Sequence, residues 1–526
     1  MTRPGTAEAR CQNASPTPDR RPSVPTLSTS RRRRNSLLRR SFVLSSDDLG
    51  RRVASGAGFK FLGIGLRTFL TIGSTAVLAR LLTPADFGYM AMASVVTEFA
   101  GLFASFGFTN ILIQRRRISR LQVDTVFWAS LGLGALLTAV VFIASFAAGW
   151  LFADPRVGPV LRWLSFNFLL GAATSVSWVV MSRLLRFQAE FWIQIISATV
   201  RAAVAIGAGW AGLGVYSLVA GGLAGLAAQA IAGFIYVPYC PRLRFHKPFI
   251  TSTWRTSGSY FGSGVLYYVY TNLDLFVIGR QLGATGLGYY QNARSLTDEI
   301  RARIAMPIQH VLFPAFSAVQ TDPQRARDMV MRATRLLAAV VVPIGFGVSA
   351  NARELVLILY GPQWAPMIPV LVMLGLSAAL RASTAVAGPL FNAADKVTLS
   401  LRYTVVGTAI FLVLLVAAAP FGLEAVAAAT AVSTLYSLVS CHAGFRLIGL
   451  GWRAIGQTMA PPFVAAAVMW LATELARTAT QAAWPLGLTL LAHVALGAVV
   501  YLAVLHLLSR QYWHDVRAAA ANLRRR

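Results

Sequence analysis

A run of about twenty apolar residues, the length that crosses a bilayer core as a helix, recurs along almost the whole chain. "VYSLVAGGLAGLAAQAIAGFIY" (215–236) and "LGLTLLAHVALGAVVYLAVLHLL" (486–508) are two examples. In hydrocarbon each backbone N–H and C=O needs a partner within the protein, so such runs fold as helices or closed barrels. The alternating segments of about ten residues that a barrel requires are absent. Mean hydropathy is +0.59 and charged residues are only 13%, against about 25% in soluble domains. The expected fold is an all-α polytopic membrane protein with about 14 transmembrane helices. Their approximate cores are 58–82, 87–112, 123–150, 158–181, 189–210, 214–237, 257–280, 286–317, 331–350, 366–391, 398–419, 423–447, 455–478 and 485–508.

The charges between these runs orient them. Loops after the even-numbered helices hold eighteen cations, among them Arg115, Arg116, Arg117, Arg120, Arg325 and Arg327. Loops after the odd helices hold Arg156, Arg353 and Arg477, with Arg80 and Arg280 at helix ends. By the positive-inside rule both termini are expected on the cytoplasmic side, and the expected location is the cytoplasmic (inner) membrane, as a multi-pass protein. The net charge of +29 is explained by these loops and tails, and nucleic acid is not an expected partner; membrane lipids are. Residues 1–55 are polar and rich in Pro, Ser and Arg, and read as a disordered basic cytoplasmic tail. "RRSFVL" is followed by polar "SSDDLGRR" where an export signal needs an apolar stretch, so it is not one.

The chain also repeats itself. With a shift of 200, "VLARLLTPADFGYMAMASVVT" (77–97) falls on "VIGRQLGATGLGYYQNARSLT" (277–297). Val77/Val277, Arg80/Arg280, Leu82/Leu282, Gly88/Gly288, Tyr89/Tyr289, Ala93/Ala293 and Thr97/Thr297 coincide. The first predicted helix thus aligns with the seventh. Six helices separate the copies, so both enter the membrane from one side and should be related by a pseudo-twofold along its normal. The expected division is an N-terminal six-helix lobe (56–237), an interlobe loop (238–256), a C-terminal six-helix lobe (257–450), two additional helices (451–510) and a basic cytoplasmic tail (511–526).

Ionisable side chains inside spanning helices cost roughly 2.5–3.5 kcal/mol each and so face a protein interior or a wet cavity. Helical spacing aligns Lys60, Arg67, Thr71 and Ser74. It also aligns Ser94, Glu98, Gly101, Ser105 and Thr109; Gln194 with Arg201; Arg294, Asp298 and Arg301; and Ser377, Arg381 and Thr384. A stripe of Ser259, Ser263, Tyr267 and Tyr270 leads to Asp274. Two readings are open. The stripes converge on a cationic cleft for an anion such as a diphosphate, which guanidinium groups suit. Or they form an internal salt-bridge set, for example Glu98 or Asp274 with Arg67. The cleft candidates are Arg67, Glu98, Arg201, Asp274, Arg294, Asp298, Arg301 and Arg381. Arg80 and Arg280 are positioned to snorkel to headgroups. Arg332 and Arg335 read as plain end charges, and His310, His442, His493 and His506 as structural. Cys11, Cys240 and Cys441 are too dispersed for a metal site or a disulfide framework.

There is no phosphate-binding GxxxxGK[ST] loop, no catalytic constellation and no long extracytoplasmic loop, so transport rather than enzymatic chemistry is expected. The stretch "NLDLFVIGRQLGATGLGYYQNARSL", its echo "ARLLTPADFGYMAMASVV" and the openings "GLGVYSLVAGG" and "GLEAVAAATAV" resemble one known group. It is the polysaccharide transporter family of the multidrug/oligosaccharidyl-lipid/polysaccharide (MOP) flippase superfamily, and within it the colanic-acid-exporter type of lipopolysaccharide biosynthesis protein. The resemblance covers about 58–450. It implies two lobes in a V, alternating access, and flipping of a polyprenyl-diphosphate-linked oligosaccharide for surface polysaccharide or lipopolysaccharide. It also implies a monomer working beside glycosyltransferases and a polysaccharide polymerase, with no cofactor; whether Na+ or H+ couples transport is not specified by the sequence. The competing readings are a cation-coupled multidrug extruder of the related branch and, further off, a polysaccharide polymerase or ligase.

Overall fold

The computed structural model describes residues 46–104, 112, 118–184, 186–237, 241–300, 302, 306–318, 322–480, 484–509 and 512. The tail before Ser46, Arg115, Arg116, Arg117, Ser105, Thr109, Arg301 and most of 511–526 lie outside them, as do the side chains of Ser259, Ser263, Tyr267, Tyr270 and His310.

Every regular element among the described residues is helical. In the first half these are α1 (Ser46–Leu81), α2 (Pro84–Ala104), α3 (Arg120–Ala144), α4 (Ala148–Phe152), α5 (Val157–Leu164), α6 (Phe166–Leu184), α7 (Phe187–Trp210) and α8 (Val215–Tyr236). In the second half they are α9 (Lys247–Ile300), α10 (Met306–Ala318), α11 (Pro323–Ala350), α12 (Ala352–Leu359), α13 (Ile368–Ser383), α14 (Ala387–Ala393), α15 (Val397–Ala418), α16 (Leu423–Thr434) and α17 (Tyr436–Arg446). Two more, α18 (Trp452–Thr480) and α19 (Leu486–Leu508), pack on α11 and on each other. Local sequence sets several starts. Ser119 and Gln122 close a capping box on α3. Asp322 accepts from the Arg325 N–H ahead of α11, whose first residue is Pro323.

Among the described residues twelve helices are long and apolar enough to cross a membrane, against fourteen expected. The difference falls on the polar seventh and eighth helices. The seventh and the first part of the eighth form α9, one element folded at Gly283 (φ 71°), a backbone conformation open to glycine, and the rest of the eighth is α10. Two boundaries also differ. α1 begins at Ser46, inside the predicted tail, because a helix once nucleated propagates through 46–55, which holds no proline. α9 begins at Lys247, inside the predicted interlobe loop, with Pro248 in its first turn.

The two lobes are joined unequally. One large buried core draws on both lobes through Met92, Phe152, Leu164, Ile278, Tyr290 and Trp364, residues near the 82–83, 145–156, 283 and 360–367 turns. At the opposite end each lobe has its own core, with Val123, Phe127 and Val176 in one and Leu337, Phe391 and Phe445 in the other. The lobes therefore share a core at one end, and among the described residues each has its own at the other.

The closed end turns on two glycines. A Cβ on Gly88 would lie 1.7 Å from the Ala284 carbonyl oxygen, and one on Gly288 would lie 1.9 Å from that of Pro84. The shift of 200 converts the first contact into the second, so α2 and α9 touch backbone to backbone about the pseudo-twofold. Side chains then reach across it. The Arg80 Nη2 donates to the Ile358 carbonyl (2.9 Å), and the Arg280 Nη1 donates to those of Trp150 (3.0 Å) and Leu151 (2.5 Å). These two arginines thus cap helix-end carbonyls of the opposite lobe rather than headgroups. The carbonyls of Ala79 and Leu82 at the end of α1 receive Gln363 Nε2 at 2.5 and 3.1 Å, and the buried Trp364 Nε1 donates to Ala79 at 2.9 Å.

Because no side chain fits at Gly88, Gly88→Leu will force this end apart. Ala79→Cys, at 0% exposure, should be inert to a polar maleimide in the purified protein and become reactive once Gly88→Leu is added. Unchanged protection would show that the contact does not hold the end shut.

Candidate functional site

Between the lobes lies a cavity of about 830 Å3 lined by α1, α2, α6, α7, α8 and α9. α1 presents Arg67, Thr71 and Ser74, and α2 presents Ser94 and Glu98, as their spacing predicts. α7 adds Gln194, Ser197 and Arg201, and α9 adds Arg294 and Asp298. Small residues place Arg201: a Cβ on Gly225 of α8 would stand 2.9 Å from the Arg201 Cβ, so the arginine stem lies directly on the α8 backbone. Ser197 Oγ donates to the Gly225 carbonyl one turn away (2.8 Å).

The cavity arginines differ in what holds them. Arg67 and Arg201 have no ion-pair partner among the described residues. Arg294 is tied fully. Its Nη1 donates to both Asp274 oxygens (2.8 Å each), its Nη2 to the Thr271 carbonyl (2.5 Å) and its Nε to Asp298 (3.3 Å). Asp274 also accepts from the Tyr290 hydroxyl (2.9 Å) and from the Leu275 N–H (2.9 Å). The expected pairing of Asp274 with Arg67 is therefore corrected. Gly283 folds α9 so that residue 274 on one arm meets residue 294 on the other, and Asp274, 5% exposed, turns into the C-terminal lobe instead of the cleft.

A second cavity of about 210 Å3 lies inside that lobe and contains Asp274 and Arg381; Arg294 and Asp298 border both cavities. Of the eight predicted residues, Arg67, Glu98, Arg201, Arg294 and Asp298 thus meet in the cleft, Asp274 and Arg381 do not, and Arg301 lies outside the described residues. The cleft also takes Gln229, Asn272, Gln291 and Asn292, which the sequence reading missed because an amide in an apolar run is a weaker signal than a charge. Arg335 is buried at 9% exposure rather than a solvated end charge. His442 stacks on Trp452 (4.3 Å between centroids) and His493 is buried. Among the described residues no three His, Cys, Asp or Glu side chains group as metal ligands.

Comparison with known proteins agrees with this geometry. Residues 77–369 match the family described as polysaccharide biosynthesis protein. The chain is 27% identical over 301 residues to the succinoglycan biosynthesis transport protein ExoT of Rhizobium meliloti, a match covering 57% of this chain and 61% of that one. It is 26% identical over 377 residues to the lipopolysaccharide biosynthesis protein WzxC of Escherichia coli, covering 69% and 74%. In fold it is similar to the lipid II flippase MurJ in an inward closed conformation, with a TM-score of 0.64 at 13% identity over 86% of this chain and 99% of that one. An inward-facing multidrug resistance MATE transporter of the MOP superfamily gives 0.59 at 14% identity, over 73% and 94%. A family match over more than half the chain, on a two-lobed fold of this kind, makes the protein a member of the polysaccharide biosynthesis protein family.

Proposed function

We propose that the protein moves a polyprenyl-diphosphate-linked oligosaccharide, a repeat unit of surface polysaccharide or lipopolysaccharide, from the cytoplasmic to the opposite leaflet by alternating access. The observation that carries this is the pair Arg67 and Arg201, two guanidinium groups in the interlobe cavity without ion-pair partners among the described residues. A permanently charged, unpaired group at membrane depth is tolerated where it faces a wet cavity, and there it is free to meet a ligand. A diphosphate would pair with both, through two bidentate contacts. The reading makes the protein a transporter with no cofactor. It would act as a monomer between glycosyltransferases that build the lipid-linked unit and a polymerase that consumes it.

Direction follows from the loop arginines. They support an orientation that has the closed end, with the 82–83 and 283 turns, on the extracytoplasmic side, and the opposite end toward the cytoplasm where such lipids are made. In this reading the cavity loads from the cytoplasm, and rocking about the Gly88–Gly288 contact exposes it to the other side. Glu98 and Asp298, equivalent under the shift of 200 and both in the cleft, are the feature that favours a cation-coupled drug extruder instead. Against it, three cleft arginines outnumber these two carboxylates.

Three outcomes are expected. Leu213→Cys, 52% exposed in the turn between α7 and α8, should react with an impermeant maleimide from outside intact cells, and Arg325→Cys only after the membrane is opened; the reverse pattern would invert the assigned direction. Arg67→Ala and Arg201→Ala should each slow translocation by about tenfold or more, the size of one lost charge-assisted hydrogen bond, at normal protein level. Lysine at either position should remain impaired, lacking the planar fork. The measurement is the lipid-linked unit retained on the cytoplasmic leaflet, alongside efflux of a cationic dye. Normal translocation with lost dye efflux would favour the extruder. Asp274→Ala behaves differently, because it removes the bidentate partner of the half-buried Arg294, leaving only the longer carboxylate contact to Asp298, and should lower the amount of folded protein. Asp274→Asn with Arg294→Gln should restore that amount.

A further inference from the structure

The 210 Å3 cavity within the C-terminal lobe has no part in the function proposed above. Its volume equals about seven water molecules at roughly 30 Å3 each, the space of one monosaccharide. Its lining charges, Asp274, Asp298, Arg294 and Arg381, sum to zero.

Four of the hydroxyls around it share one orientation. Thr404 Oγ1 donates to the Ser400 carbonyl (3.0 Å), Thr430 to Val426 (2.9 Å), Ser433 to Thr430 (2.8 Å) and Thr434 to Thr430 (2.8 Å). With their protons committed to helix carbonyls, these groups offer only lone pairs to a ligand. Ser437 Oγ is buried and has no hydrogen-bond partner among the described residues. Arg381 supplies donors without an ion-pair partner among the described residues. Aromatic surface is present as well. The Tyr436 ring lies on the α15 backbone, where a Cβ on Gly407 would stand 2.8 Å from it, and Tyr403 is beside it in the lining.

This set selects against ions. Both oxygens of Asp274 are taken by the Arg294 guanidinium and one oxygen of Asp298 receives Arg294 Nε, so only the second Asp298 oxygen is left to meet a cation. The zero net charge gives a second diphosphate no advantage. What fits is a neutral ligand with many hydroxyls that donate to oxygens, a ring oxygen that accepts from a guanidinium, and C–H faces that pack on tyrosine. We propose that the cavity is a sugar subsite, holding the monosaccharide next to the diphosphate while the diphosphate sits in the central cleft. Arg294 and Asp298 border both cavities, so the two lie on either side of one pair of side chains.

The inference rests on the transport reading and is tested apart from it. The full chain in phosphatidylethanolamine/phosphatidylglycerol nanodiscs is titrated with a short polyprenyl diphosphate, and with the same lipid carrying one hexose, in sodium and in choline buffers. The unmodified protein should prefer the hexose-bearing lipid by about tenfold, the equivalent of one or two net hydrogen bonds. Ser437→Leu, which fills the cavity, should erase the preference, and the near-isosteric Thr404→Val should reduce it, both leaving affinity for the bare lipid unchanged. A preference that survives both substitutions overturns the subsite. So does an affinity for bare lipid that requires sodium and loses that requirement in Ser437→Leu, since the cavity would then hold a cation. An unmodified protein that binds neither lipid overturns the transport reading itself.

Discussion

Two backbones in van der Waals contact, α2 at Gly88 and α9 at Gly288, are what the rest of the molecule is arranged around. In a membrane the association of helices gains little from burying apolar surface, because the lipid is equally apolar; close packing and polar contacts must supply it. Gly88, Ala284 and Gly288 are small enough to allow the approach, and the approach brings the helix ends of opposite lobes within reach of Arg80, Arg280, Gln363 and Trp364. The shared core then fills in around them. The repeat explains why one short motif can do this twice: a contact on a pseudo-twofold needs a single self-complementary surface.

The same folding logic sorts the buried charges. Where α9 doubles back at Gly283, Asp274 and Arg294 neutralise each other inside one lobe, with Tyr290 and the Thr271 carbonyl completing their hydrogen bonds. That arrangement is rigid and satisfied, so it fixes the arms of α9 relative to each other. Arg67 and Arg201 stand on α1 and α7, across the cleft from that network, and have no comparable partner among the described residues. A buried pair of charges holds a lobe together, whereas isolated charges facing a wet cavity can serve a ligand.

Much of this was legible in the sequence, for identifiable reasons. Apolar length gave the helical class, and the shift of 200 gave the two lobes, because both are properties of linear order. Arg67, Glu98, Arg201, Arg294 and Asp298 stood out because an ionisable group in an apolar helix has few tolerable orientations. Asp274 was assigned to the wrong cavity because a stripe identifies a helix face without saying which neighbour that face meets; the fold at Gly283 decides it. Arg80 and Arg280 were misread for a different reason. Their acceptors are main-chain carbonyls of Trp150, Leu151 and Ile358, which leave no trace in a side-chain pattern.

Those carbonyl acceptors also suit the closed end to reversal. A carboxylate partner buried at this end would be stranded whenever the lobes parted, at several kcal/mol. A helix-terminal carbonyl is an orphan acceptor that water or a tightened last turn can satisfy instead. Each cross-lobe bond contributes about 1 kcal/mol net, rising to roughly 3 with a charged donor. The sum over Arg80, Arg280, Gln363 and Trp364 is enough to hold one state, and no single bond leaves a large unmet charge in the other. Exposed arginines at the membrane boundary can take up headgroup or water contacts as readily as they release the opposite lobe. In the proposed alternation, the energetic difference between states is then left to whatever occupies the cleft between Arg67 and Arg201, which is where a substrate has to act if its binding is to drive the change.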